Sequence, residues 1–64
     1  MDEGHFKEER DATLLSDSGR VVGPVKVLGW RRSYFDRRWL LVQVETETGP
    51  ALLWKREALV AMRA

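Results

Sequence analysis

Two clusters of turn formers cut this chain into strand-length runs. Ser16-Asp17-Ser18-Gly19 sets side chains that bond back to the backbone beside a glycine that takes positive φ, and Thr46-Glu47-Thr48-Gly49-Pro50 reads as a second turn. The run before the second cluster alternates cleanly. Across Trp39–Glu45, Leu40, Val42 and Val44 point one way, while Trp39, Leu41, Gln43 and Glu45 point the other. That period of two is the mark of a half-buried antiparallel strand, with Leu40, Val42 and Val44 on the core side.

The remaining runs follow the same logic. Thr13–Leu15 and Arg20–Val22 flank the first turn as a hairpin. Gly23-Pro24 interrupts, because proline lacks a ladder donor. Val25–Trp30 is the next strand, with Val25, Val27 and Gly29 on one face and Lys26, Leu28 and Trp30 on the other. Ala51–Trp54 returns after the second turn to pair with Gln43–Glu45. Lys55–Leu59 has helix formers but too little length for an independent helix. It is expected to make a single turn before a last strand, Val60–Met62; the competing reading is one helix over Arg56–Arg63. The expectation is an all-β domain over residues 12–64, preceded by a flexible acidic segment over residues 1–11.

With 64 residues there is room for one domain. The absence of cysteine excludes disulfides and thiolate metal sites, and His5 is the single histidine. The core must come from packing: three Trp, eight Leu, seven Val, two Phe and one Tyr are available. Arg outnumbers Lys eight to three, and Ile and Asn are absent, as in the proteins of a GC-rich, thermophilic bacterium. No apolar run is long enough to span a bilayer, and the acidic start has no signal-peptide character, so a soluble cytoplasmic protein is expected.

Val27-Leu28-Gly29-Trp30, a strand ending in Gly-Trp, and Gly49 through Leu59, a strand running into an Ala-Leu turn, carry a resemblance. The pattern resembles the SH3-like small barrel: five strands with a one-turn helix before the last. Within that group it is similar to the plasmid-borne type II dihydrofolate reductases over roughly residues 25–62. The resemblance implies the fold and a tendency to oligomerise. It does not imply the activity. That family lines a four-subunit pore with Val-Gln-Ile-Tyr, and the matching positions here are Ala51, Leu52, Leu53 and Trp54. Leu52 and Trp54 cannot orient folate and nicotinamide as Gln and Tyr do.

The chemistry-bearing stretch is Trp30-Arg31-Arg32-Ser33-Tyr34-Phe35-Asp36-Arg37-Arg38-Trp39. Four aromatics and four arginines fall in ten positions between the two most strand-like runs, and the stretch reads as the tip of a hairpin. Charge is divided along the chain. Residues 1–20 hold six acids and three bases, and residues 21–64 four acids and eight bases. An acidic lead-in therefore stands before a basic domain, either as a solvated tail or as a cover for the basic loop.

Arginine offers a planar fork of donors that suits phosphate and stacks on rings. Aromatic side chains stack on unpaired bases. On this chemistry Arg31, Arg32, Arg37 and Arg38 would hold phosphates, Tyr34 and Phe35 would stack, and Lys26 and Lys55 would extend the basic surface. Trp30 and Trp39 are either further binding residues or cross-strand neighbours bracing the base of the loop with arginines over them, and Asp36 would be a turn residue. The expected function is a small non-enzymatic binding module for single-stranded or structured nucleic acid. The alternative is a protein-interaction module or homo-oligomer subunit that uses the same loop, since Arg, Trp and Tyr are enriched at interface hot spots. A basic aromatic loop would also suit a membrane surface, but nothing in the sequence favours that role over nucleic acid. No catalytic pairing, cofactor motif or metal motif is visible, and His5 has no orienting partner in the sequence.

Overall fold

A computed structural model describes residues 2–34 and 37–62. The chain is all-β. Five antiparallel strands form one sheet: β1 (Glu3–Leu15), β2 (Val21–Arg32), β3 (Arg38–Thr46), β4 (Gly49–Arg56) and β5 (Val60–Met62). Their order is β4-β3-β2-β1-β5, and among the described residues hydrogen bonds do not close the sheet into a ring. A 3-10 turn, Glu57–Leu59, separates β4 from β5. This matches the expected turn and last strand; no helix forms over 56–62. The arrangement is compatible with a small barrel-like fold.

Both turns behave as their residues dictate. Ser16 N–H donates to the Arg20 carbonyl at 2.8 Å and Gly19 N–H to the Ser16 carbonyl at 2.9 Å, while Gly19 sits at φ 85°. Thr46 pairs with Gly49, at φ 116°, and the Thr46 hydroxyl caps the turn from the Thr48 N–H side at 3.3 Å. Left-handed φ at these two positions is what glycine permits without strain.

The core follows from alternation. Ala12, Leu14, Val25, Val27, Leu40, Val42 and Val60 are buried, with Phe6, Trp30 and Val44 packed against them. Among the described residues no polar or charged residue is buried. At about 1.5–3 kcal/mol for each fully buried aliphatic side chain, these residues dominate the stability of so small a domain.

Three expectations are corrected. First, the acidic segment over residues 1–11, expected to stand apart from the sheet, is strand from Glu3 onward. Glu3, Gly4 and His5 pair with Arg31, Trp30 and Gly29. The pairing is favoured by the opposite charges of Glu3 and Arg31, and by Gly4, whose missing Cβ leaves room for the Trp30 ring.

Second, Gly23-Pro24 does not break the strand. Pro24 pairs with Thr13 inside β2, and the β2–β3 ladder begins only at Lys26. At Pro24 one side of β2 is therefore an edge, where a missing donor costs nothing.

Third, the faces of β2 exchange at Leu28. The register shifts between Val27 and Gly29 against β3, and in β1 between His5 and Arg10. Leu28 is the extra residue of a bulge, so Trp30 joins Val25 and Val27 on the core side and Gly29 moves to the outer side.

Candidate nucleic-acid interface

Directly opposed residues in an antiparallel ladder share a face, so the register assigns every member of the Arg/aromatic stretch. Trp30 is opposite Leu40, and Arg31 is opposite Trp39. The two tryptophans therefore stand on opposite faces and are not the cross-strand pair expected.

On the outer face, Glu3, Arg31, Trp39 and Arg56 form one row across four strands. His5, Gly29, Leu41 and Trp54 form the next. The Arg31 guanidinium lies over the Trp54 ring at 5.9 Å and that of Arg56 over Trp39 at 5.8 Å. Each contact is worth about 0.5–1 kcal/mol at an exposed site, and it keeps the guanidinium near the ring. The result is a patch in which two arginines and two partly open indoles alternate.

Trp39 ties this patch to the loop. Its Nε1–H donates to Ser33 Oγ at 3.1 Å, and Ser33 Oγ donates to the Arg37 carbonyl at 3.2 Å. Ser33 N–H also donates to the Arg37 carbonyl, at 2.7 Å. These bonds close the base of the loop. Tyr34 projects from the tip with 89% of its surface exposed. Phe35 and Asp36, expected as a stacking residue and a turn residue, lie outside the described residues.

The other site residues divide. Arg32 and Arg38 face each other at the end of β2 and β3. Arg38 lies over the Trp30 ring at 5.6 Å and makes an ion pair with Glu57 at 3.3 Å. Arg32 and Arg37 are exposed at the tip. Lys55 is half-buried on the core face opposite Leu40, away from the Arg31 row. Lys26 stands two rows farther along the outer face and is paired with Asp11. Around it Glu9, Asp11, Gln43 and Glu45 line a shallow hollow. One outer face thus carries a basic, aromatic end near the loop and an acidic end away from it.

The acidic lead-in reaches the basic loop. Arg32 N–H donates to the Asp2 carbonyl at 2.6 Å, and Asp2, Glu3, Arg31, Arg32, Ser33 and Tyr34 line an open cleft at the tip. Whether the acidic segment covers the loop is thereby answered for its first residues: they border it and leave Tyr34 open.

Sequence reading missed Arg56 and Trp54 as members of this patch. The available signal was the spacing Trp54–Arg56, which puts both on one face of a strand. What hid it was the register with β3, a long-range property.

Among the described residues no helix is long and apolar enough to cross a membrane, and no group of three His, Asp or Glu residues could hold a metal ion. The chain matches no protein-family model, no curated protein and no solved structure.

Proposed function

We propose that this protein is a small non-enzymatic module that binds single-stranded nucleic acid, or the unpaired bases of a structured RNA, on its outer face and loop. The single observation that carries the reading is the Arg31–Trp39–Arg56 row with Trp54 beside it, two guanidiniums 5.9 and 5.8 Å from two indole rings on an open sheet surface. A base stacked on a partly open ring gains roughly 1–3 kcal/mol, and an adjacent guanidinium can take the phosphate that follows. Tyr34 extends the stacking surface to the tip, and Arg32 and Arg37 extend its charge. An SH3-like arrangement belongs to the same proposal; the strand order and the 3-10 turn before β5 support it.

The test is a titration with single-stranded DNA and RNA oligonucleotides, followed by intrinsic tryptophan emission and by anisotropy. Binding is expected to quench emission and to weaken with salt, with a slope of about −0.7 per phosphate contacted. Arg31→Ala and Arg56→Ala are each expected to flatten that slope by about one contact. No binding at low salt, from a chain shown to be folded, overturns the proposal.

A further inference from the structure

We propose that the free edge of β4 pairs antiparallel with β4 of a second copy of this chain, about a two-fold axis at Leu53. This inference does not depend on nucleic-acid binding.

The sheet order leaves β4 and β5 as edge strands. Edges that carry charge, or that are very short, resist pairing with other chains. β5 has three residues. The part of β1 not covered by β5 carries Lys7, Glu8, Glu9 and Arg10. β4 has neither protection over Ala51-Leu52-Leu53-Trp54, where Leu52, Leu53 and Trp54 are 56%, 41% and 40% exposed. Pro50 on one side and Lys55-Arg56 on the other bound this uncharged window.

The window is complementary to itself. In an extended sheet, Leu53 meets Leu53 of the partner subunit, and Leu52 meets Trp54 of the partner subunit on the outer face. Arg56 then falls beside Pro50 of the partner subunit, whose own cross-strand neighbour is Glu45. Two strand spacings, about 10 Å between Cα atoms, separate Arg56 from that glutamate, within the joint reach of the two side chains once the Arg56 guanidinium swings off the Trp39 ring on the other side of β4. The charges are therefore complementary across the axis, twice by symmetry. The like charges do not oppose one another. Lys55 of each copy stands four residues from its symmetry mate, about 13 Å along the strand, beyond the Debye length of about 8 Å at physiological salt. The single register that satisfies all three conditions is the one centred on Leu53.

The chain has no cysteine, so one can be introduced at the axis. Sedimentation equilibrium of the nucleic-acid-free protein is expected to show a monomer–dimer equilibrium. Leu53→Cys is expected to form a disulfide-linked dimer under mild oxidation, because opposed Cα atoms in an antiparallel pair lie within disulfide range. Thr48→Cys, in the exposed turn, is expected to cross-link much more slowly. Leu52→Lys, at an exposed position, is expected to weaken dimerisation at least tenfold while its circular dichroism stays unchanged. A monomer at every concentration overturns the proposal. So does a dimer that Leu52→Lys leaves intact and that cross-links no faster through position 53 than through position 48. A cysteine variant that fails to fold leaves the Leu52→Lys measurement to decide.

Discussion

Trp39 and Ser33 are joined by a hydrogen bond from the indole Nε1–H to the hydroxyl oxygen, at 3.1 Å, across the base of the Arg/aromatic loop. The same hydroxyl donates onward to the Arg37 carbonyl. One small side chain thus couples the ring on the outer face to the backbone of the loop. Ser33→Ala removes both bonds. It is expected to cost about 0.5–1.5 kcal/mol and to lower the melting temperature by a few degrees in a domain of this size. Oligonucleotide binding should weaken with it, and Ser33→Thr should retain both properties. Unchanged tryptophan emission and binding in Ser33→Ala would show that the bond positions nothing.

Gly29 faces a backbone. A Cβ at this position would lie 2.6 Å from the Gly4 carbonyl oxygen and 3.1 Å from His5 Nδ1. Gly29→Ala must push β1 away from β2, at an expected cost of about 1–3 kcal/mol, as for other overpacking substitutions. Gly23 is in the same strand, and a Cβ there meets nothing within 4 Å. Gly23→Ala is expected to be neutral or to stabilise by up to about 1 kcal/mol, through the entropy of the unfolded chain. Urea melts of the two variants check the contrast, which vanishes if Glu3–His5 do not pair with β2.

Leu40 is 2% exposed at the centre of the core, opposite Trp30. Leu40→Ala is expected to cost about 2–5 kcal/mol, enough to unfold a domain of marginal stability. Val21→Ser, at a position 71% exposed, is expected to change stability by less than about 0.5 kcal/mol. Thermal melts by circular dichroism separate the two.

Asp2 and Glu3 stand beside Arg31 and Arg32 at the tip. Under the proposed reading their carboxylates would compete with phosphate for those arginines. Asp2→Asn with Glu3→Gln is therefore expected to tighten oligonucleotide binding at low salt. The gain should fade toward 1 M salt, where the Debye length is about 3 Å. A loss of affinity in the double variant would place the nucleic acid elsewhere.

The order of elements was legible in the sequence. Ser16–Gly19 and Thr46–Pro50 mark their own turns, and Leu40, Val42 and Val44 announce a core face by alternation. The Arg/aromatic loop was visible as composition. The patch was not, because its other half, Trp54 and Arg56, lies on a strand reached only through β3. The N-terminal strand was misread for a related reason. Glu3–Arg10 is too charged to look like a strand alone, and it runs along β2 because its two ends, Glu3–His5 and Arg10, find ladder partners there.

What the sequence determined by itself was local: turns, short strands, the 3-10 turn and a core of alternating aliphatics, all set by interactions within a few residues. The tertiary structure decided which tryptophan faces the core, which arginine lies on which ring, and which edge is left open. One bulged residue, Leu28, sends Trp30 inward, while Trp39 keeps the outer face that the alternation of β3 gives it, since a shift of one residue in a ladder of period two exchanges the faces of everything beyond it on the bulged strand.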